Sequence, residues 1–336
     1  MKKVISIIVT IIVLVGIAIL FAVRWNAWFA MPAEPQWNGE TIDYYFHCFG
    51  EDSVPGFVKI DAEQPCWHDT LEPDTLHIIL FGGIHNGITH SQLESIASRH
   101  PKIDCYAQLG DFFERCYPYY MQLTYREFSG TRFESLPILS TPGNHEYTKG
   151  WSKRLSSAWT STFRHPSNGY KGAEGKTYYV DFQNLRFIAI DTNGFNQLSD
   201  LTRVNTWLKQ AIKEAGDRFV IVMMHHPIRS QAKGRYNPIL FPTFFKAIRG
   251  ADVIFTGHDH LYARHKNVIN TNASLKHYNA KHGQKTLHEP VYEVITVTNE
   301  SLQVETCLFR DGSVYDSVKY TKQNSPVDKV TAKNHQ

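Results

Sequence analysis

Histidines, one aspartate and one asparagine recur just after short apolar runs in this chain. The densest case is Phe255-Thr256-Gly257-His258-Asp259-His260, which follows Ala251-Asp252-Val253-Ile254. If that run is a strand, residues two apart point the same way, so His258 and His260 face one side wherever extended geometry persists. Neutral imidazole is a common transition-metal ligand. A lone His-x-His is weak evidence, so the question is whether the chain supplies partners. It offers Gly83-Ile84-His85, Gly110-Asp111, Gly143-Asn144-His145-Glu146 and His225-His226-Pro227. His85, Asp111, Asn144, His225, His258 and His260 present nitrogen and oxygen without thiolate, a set that suits Fe, Mn or Zn. Asp111 could bridge two such ions. Metals about 3.5–4 Å apart activate water and stabilise both the attacking and leaving oxygens of an in-line displacement. Phosphoryl chemistry is what such a pair serves best.

These residues need elements that throw them together. Leu76 to Phe81, Ile103 to Leu109, Leu136 to Leu139, Arg218 to Met224 and Ala251 to Phe255 read as buried strands, each followed by one of the polar motifs. Ser91 to His100, Tyr117 to Phe128, Leu201 to Ala215 and Phe241 to Ile248 read as helices. Thr177 to Phe182 and Arg186 to Ile190 read as an antiparallel pair. Val291 to Val297, Leu302 to Phe309 and Ser313 to Tyr320 read as tail strands, with Asp311-Gly312 as a hairpin turn. Thr41 to Phe49 is aromatic and reads as an early strand or a cover over the core. Strands alternating with helices and later pairing with each other predict a two-sheet α/β core with helices outside. In open α/β sheets, sites form at the carboxyl ends of strands.

The ordered set Gly110-Asp111, Gly143-Asn144-His145-Glu146, His225-x-Pro and Gly257-His258-x-His260 resembles the calcineurin-like metallophosphoesterase family, over about residues 76–266. The stretch Gly257 to Arg264 also resembles the purple acid phosphatase ending. The resemblance implies a four-layer α-β-β-α sandwich with two mixed sheets and a dinuclear centre of divalent or trivalent ions. Asp111 would bridge, Asn144, His225 and His258 would hold one ion, and His85 and His260 the other. His145, with Asn144, would meet the phosphoryl group of a phosphate mono- or diester, and His145 would help protonate the leaving oxygen. A metal-activated hydroxide would be the nucleophile.

One position departs from the family pattern. The first family motif is Asp-x-His, and here Gly83 stands where that Asp would be. The ion on the His85 side loses an anionic ligand. Three outcomes are open: two ions with water filling the gap, one firm ion with a second only alongside substrate, or an inactive site that binds a phosphorylated ligand without turnover. Glu114, three residues after Asp111, is a candidate replacement ligand. The favoured reading is that it supports the loop through hydrogen bonds. His226 is expected to face away from His225 as a pocket wall, Asp191 to be structural, and Tyr262 and Arg264 to touch substrate or simply to continue a strand.

The remaining sequence bounds location and partners. Met1-Lys2-Lys3 precedes Val4 to Val23, which carries no charge. Twenty residues at about 1.5 Å each match a bilayer core of about 30 Å. This predicts residues 1–3 in the cytoplasm, a transmembrane anchor at 4–23, a linker at 24–40, the metallophosphoesterase domain at 41–320 outside the cytoplasm and a flexible tail at 321–336. Ala27 and Ala30 offer a faint cleavage pattern as the alternative. A scaffold for envelope assembly is a further reading. Lys and Arg total 35 against 32 Asp and Glu, a net charge of +3, with no basic run, which argues against nucleic acid. The 5 cysteines form no CxxC pair, which argues against a zinc ribbon. Cys48 and Cys66 are one candidate disulfide, since an exported body permits it.

Overall fold

The structure is a computed structural model that describes residues 9–20, 34–60, 66–147, 155–193, 198–235, 246–281 and 287–322. Residues 9–20 form helix α1. Strands β1 (Phe57–Lys59), β2 (Cys66–Asp69) and β3 (Leu76–Phe81) lead to α2 (His90–Arg99), β4 (Cys105–Gln108), α3 (Pro118–Phe128), α4 (Arg132–Ser135) and β5 (Ile138–Ser140). The middle holds α5 (Ser157–Thr162), β6 (Tyr178–Phe182), β7 (Leu185–Ile190), α6 (Leu198–Lys213) and β8 (Phe219–Met224). A 3₁₀ turn (Ala247–Gly250) precedes β9 (Val253–Thr256), β10 (Ala263–His265) and β11 (Val268–Asn270). The chain then adds β12 (Val291–Val297), β13 (Ser301–Leu308) and β14 (Val314–Thr321).

The strands make two mixed sheets. One has 6 strands in the order β14-β13-β12-β3-β4-β5, the other 8 in the order β1-β2-β6-β7-β8-β9-β11-β10. Strands β3, β4 and β5 are parallel, as are β7, β8 and β9. The sequences of β7 (LRFIAI) and β8 (FVIVMM) are buried throughout, as parallel strands covered on both faces must be. Side-chain alternation then sorts each strand between two cores. Ile78, Leu80 and Ala107 meet Phe187, Ile221, Met223 and Phe255 between the sheets. Ile79, Phe81 and Tyr106 turn outward against Leu93 and Ile96 of α2 and Met121 and Tyr125 of α3. On the far side, Ile188, Val220, Val222 and Ile254 pack on Leu201, Val204 and Leu208 of α6. The layers run α-β-β-α, as expected.

Local chemistry fixes the element ends. Thr89 caps α2 by accepting from Gln92 N at 3.3 Å, while the Gln92 side chain accepts from Thr89 N at 2.9 Å. Gly312 closes the β13–β14 hairpin at φ +73°, with its N–H on Leu308 O at 2.8 Å. Four short strands escape the sequence pattern: β1, β2, β10 and β11 have 3 or 4 residues each and carry polar side chains.

Several expectations change. Thr41 to Phe49 forms no strand, only a bridge from Cys48 to Ile138, and instead lays Tyr44 and Phe46 over the outer core. All five thiols are free. Cys48 sits beside β5 of the smaller sheet and Cys66 opens β2 of the larger one, so the expected disulfide is absent. The helix expected at Phe241 to Ile248 falls partly outside the described residues, whose share is the 3₁₀ turn. No helix among the described residues is long and apolar enough to cross a membrane. Residues 9–20 of the expected span at 4–23 are helical, and the rest of that span lies outside the described residues. Residues 1–8, 21–33 and most of the expected tail lie outside the described residues.

Candidate metal centre

Each motif leaves the carboxyl end of its strand, and the two sheets contribute from facing sides. His85 follows β3, Asp111 follows β4 and Asn144 follows β5, while His225 follows β8 and His258 and His260 follow β9. The chain turns sharply at these points. His85, Asp111, His258 and His260 all have positive φ, at 52°, 54°, 65° and 49°. Non-glycine residues in this region cost about 1–3 kcal/mol each and cluster at functional sites. The finding also corrects the reading of His258 and His260. Extended geometry stops at Thr256, so strand alternation no longer decides where they point.

Two sets of donors converge. Asn144 Oδ1 lies 2.9 Å from His258 Nδ1 and 3.1 Å from His225 Nε2, and the two nitrogens are 3.2 Å apart. Ligands at right angles around an ion, each about 2.1 Å away, would stand roughly 3 Å apart. Asp111 Oδ2 lies 3.2 Å from His225 Nε2 and 3.4 Å from His85 Nε2, between the two sets. His225 Nδ1 donates to Leu109 O at 2.7 Å, which leaves the lone pair on Nε2. His85 Nε2 and His260 Nδ1 are buried without a hydrogen-bond partner, and the two rings stack at 4.8 Å. Buried nitrogens left open in this way fit a cation.

The electrostatics agree. Burial and the neighbouring His226 and His225 push His258 far below the usual histidine range. Burial, then His85, pushes His260 down to about 3. Both rings are therefore neutral, the form that binds metal. Burial works against the Asp111 charge, yet His225 and His145 hold its carboxyl well below the usual range. For His225, burial is outweighed by Asp111, which draws a proton toward that ring. The carboxylate demands positive charge at the position an ion would occupy.

A backbone web fixes Asp111. Glu146 accepts from Asp111 N at 2.8 Å, Phe112 N at 2.9 Å, Phe113 N at 3.2 Å and Gly143 N at 2.7 Å. Asp111 Oδ1 accepts from His145 N at 2.9 Å, so Oδ2 is the oxygen left for the histidines. This requires close backbones: a Cβ on Gly143 would lie 2.2 Å from Asp111 Oδ1, and one on Gly110 2.3 Å from Gly143 N.

The other named residues fall on particular sides. Glu114 Oε2 accepts from His85 Nδ1 at 3.1 Å and from Lys276 Nζ at 2.9 Å. It stands behind the ring, on the nitrogen away from Asp111. Gly83 opens the front instead, where an added Cβ would lie 3.3 Å from His85 Nε2 and 3.4 Å from Asp111 Cβ. His145 Nδ1 lies 2.6 Å from Glu114 O and also meets Arg115 Nη1. His85, Asp111 and His145 each offer one donor atom within 4.8 Å of the other two.

His226 does not face away. With His225 and His258 it forms a second such group, and its Nδ1 meets Thr192 Oγ1 at 2.8 Å. The alternation that predicted otherwise ends with β8 at Met224. Asp191 accepts from Asn193 N at 3.0 Å and from the Tyr147 hydroxyl, a structural part. Tyr262 and Arg264 both bind Asp316 of β14, at 2.7 and 2.6 Å. Sequence reasoning missed Asp259, Arg235 and Lys276. Asp259 had a signal, being an acid held between two histidines after a strand. The other two come from loops without a readable pattern.

Comparison with known proteins follows this geometry. No curated protein matches the chain. A purple acid phosphatase, PPD1 from yellow lupin (Lupinus luteus), is 16% identical at a TM-score of 0.51, over 74% of this chain and 54% of that one. The chain thus spans about half the length of the lupin protein. GAP50, described as the anchor in the inner membrane complex of Plasmodium, is 16% identical at a TM-score of 0.54, over 78% of this chain and 93% of that one. PhoD is 13% identical at 0.52, over 77% and 73%. At these identities the likeness is one of fold. The family model for calcineurin-like phosphoesterases matches residues 59–262, most of the chain and all of the strand ends described above, and the chain belongs to that family.

Proposed function

We propose that the protein is a metal-dependent phosphoesterase that hydrolyses a phosphate mono- or diester. The observation that carries this reading is the triangle of Asn144 Oδ1, His225 Nε2 and His258 Nδ1, with edges of 2.9 to 3.2 Å, beside Asp111 Oδ2. Those four residues would hold one ion, and Asp111, His85 and His260 the other. Such ions, drawn from Fe, Mn or Zn, would supply an activated water and charge stabilisation at phosphorus. The chain's own residues do the rest. Glu114 orients His85, Glu146 fixes Asp111, and Glu114 O with Arg115 Nη1 holds His145 by Nδ1. His145 and Asn144 would meet the phosphoryl group.

The two halves are unequal. Asn144, His225, His258 and Asp111 make a full set, whereas the other half lacks the carboxylate at 83, and Glu114 stands behind His85. This asymmetry favours one firm ion, and it supports the second reading of a member that binds a phosphorylated ligand without turnover. Hydrolysis of p-nitrophenyl phosphate and of its bis ester, with Mn, Fe or Zn added, separates the two. Turnover that disappears in Asn144→Ala supports the enzyme; no turnover of either ester with any metal supports the binding protein.

The uncharged run Val4 to Val23 supports attachment to a membrane with the body outside the cytoplasm. Release of the protein from membranes by alkaline carbonate would overturn that.

A further inference from the structure

The chain enters the domain beside the metal centre. A helix that follows a parallel strand starts at the strand's carboxyl end, the edge where sites form. Helix α3 follows β4 and the Asp111 loop, so it starts at that edge. Its first turn is tied to the residue after His85: Asn86 Nδ2 donates to Tyr120 O at 2.5 Å, and Asn86 Oδ1 accepts from Glu114 N at 2.5 Å. Residues 37–46 run alongside α3 in the same direction. Trp37 meets Tyr119 with ring centroids 5.8 Å apart, Ile42 and Gln122 exchange hydrogen bonds at 2.7 and 3.0 Å, and Tyr44 stacks on Tyr125 at 5.2 Å. The segment then reaches the far edge, where Cys48 bridges Ile138 at the start of β5. The apolar run at 4–23 is thus joined to the domain on the side of the centre. Between residues 20 and 34 the chain spans at most about 50 Å.

The rim of the centre has a matching composition. On the α3 side, Tyr119 and Tyr120 stand 5.1 Å apart next to Trp37, all three partly exposed. On the other side, Leu275 is 72% and Tyr278 39% exposed. Tyr278 is held there by its N–H on His260 O at 3.1 Å, and Lys276, between the two, by Glu114 Oε2 at 2.9 Å. The Arg235 guanidinium lies over the Tyr278 ring at 4.4 Å. Tyrosine, tryptophan and long cations are the side chains that suit the head-group layer of a bilayer. Their rings and stems enter the apolar boundary, their tips stay wet, and the cations meet anionic head groups.

We propose that the open side of the centre rests on the bilayer that the apolar run enters, and that its phosphate ester is carried by a lipid. The inference rests on the phosphoesterase reading and on membrane attachment. A lipid phosphate already lies at the level of these rings and cations, so it reaches the centre without leaving the membrane. In its hydrolysis water gives an oxygen to phosphorus, the ester P–O bond breaks, and the lipid alcohol leaves with the proton.

The test reconstitutes the full chain in phosphatidylcholine vesicles that contain phosphatidic acid. Leu275→Cys and Leu71→Cys, each with Cys66→Ser, carry one fluorescent dye apiece. Leu71 is 87% exposed and lies before β3, at the opposite edge, so it controls for apolar exposure alone. A head-group spin label should quench most of the emission at 275 and little at 71. Equal quenching, stronger quenching at 71, or a chain that does not enter vesicles overturns the proposal. With Mn, Fe or Zn added, release of phosphate from phosphatidic acid or of phosphocholine from phosphatidylcholine is compared with hydrolysis of p-nitrophenyl phosphate and its bis ester. Leu275→Glu should lower the ratio of lipid to p-nitrophenyl ester turnover about tenfold, the worth of burying one leucine. Hydrolysis of a p-nitrophenyl ester with neither lipid cleaved, or a ratio indifferent to residue 275, overturns the lipid substrate. No turnover of any ester, with quenching confined to 275, overturns the enzyme reading and leaves the membrane contact standing.

Discussion

Glu146 Oε2 accepts the backbone N–H of Asp111 at 2.8 Å and so joins the ends of two strands through one side chain. The same oxygen takes Gly143 N at 2.7 Å, just before Asn144. Two candidate ligands, from two loops, are thus registered by a residue that binds no ion. Glu146→Ala would leave buried N–H groups unpaired, each at about 1–3 kcal/mol. Its melting temperature should fall by several degrees. Zinc affinity measured on the folded fraction should fall at least tenfold, because Asp111 and Asn144 lose their common anchor.

Gly83→Asp should strengthen the weaker half. The Cβ position is 3.3 Å from His85 Nε2 and 3.4 Å from Asp111 Cβ, tight but without a positive φ to forbid a side chain. A carboxylate there joins the open nitrogens of His85 and His260. The expected outcome is a rise in bound metal toward two ions per chain by elemental analysis. Turnover of p-nitrophenyl phosphate should rise with it. Unchanged metal content would mean the half-site is closed for some other reason.

Glu114→Ala separates two roles for one carboxylate. Placed behind His85, Glu114 orients the ring without touching the ion. Loss of such a partner costs about 10–100-fold in metal affinity. The weaker ion should be affected and the stronger one spared, a split visible in a two-phase zinc titration. Equal weakening of both phases would contradict the geometry.

Glu293 gives the fold a pH dependence of its own. It is fully buried on β12, one oxygen accepts from Thr306 Oγ1 at 2.7 Å, and burial pushes its carboxyl up to about 7. The folded chain therefore keeps a proton that the unfolded chain loses near pH 4.5. Stability from this group is complete below about 4.5 and is lost as pH rises toward 7, by about 3 kcal/mol at most. Glu293→Gln should match the wild type in denaturant melts near pH 4.5 and exceed it at pH 8, both in chelator. Parallel curves across that range would refute the shift.

What was legible in the sequence follows from periodicity. Long apolar runs such as Phe219–Met224 and Val291–Val297 announce buried strands, because they are rich in Val and Ile and too short for a typical helix. Motifs at their ends marked His85, Asp111, Asn144, His225, His258 and His260, and the structure brings these together at the facing strand ends. Positions set by backbone conformation were not legible. His226 turned inward and His258 took a left-handed turn because strand geometry had already ended. Arg235 and Lys276 arrive from loops whose approach depends on the whole fold. Short edge strands such as Ala263–His265 bury too little to leave a pattern.

The pairing of β3 with β12 also says what the centre depends on. Ile79 stands opposite Val294, so the strand that leads to His85 is flanked on one side by a strand far along the chain. Contacts between such distant positions slow folding, since a long loop must close before they repay its entropy. Until β12 arrives, β3 has one bare edge and His85 no settled position. The metal centre therefore depends on a strand that supplies none of its candidate ligands. A chain stopped before Val291 should take up no metal with the affinity of the full protein, however complete its set of ligands.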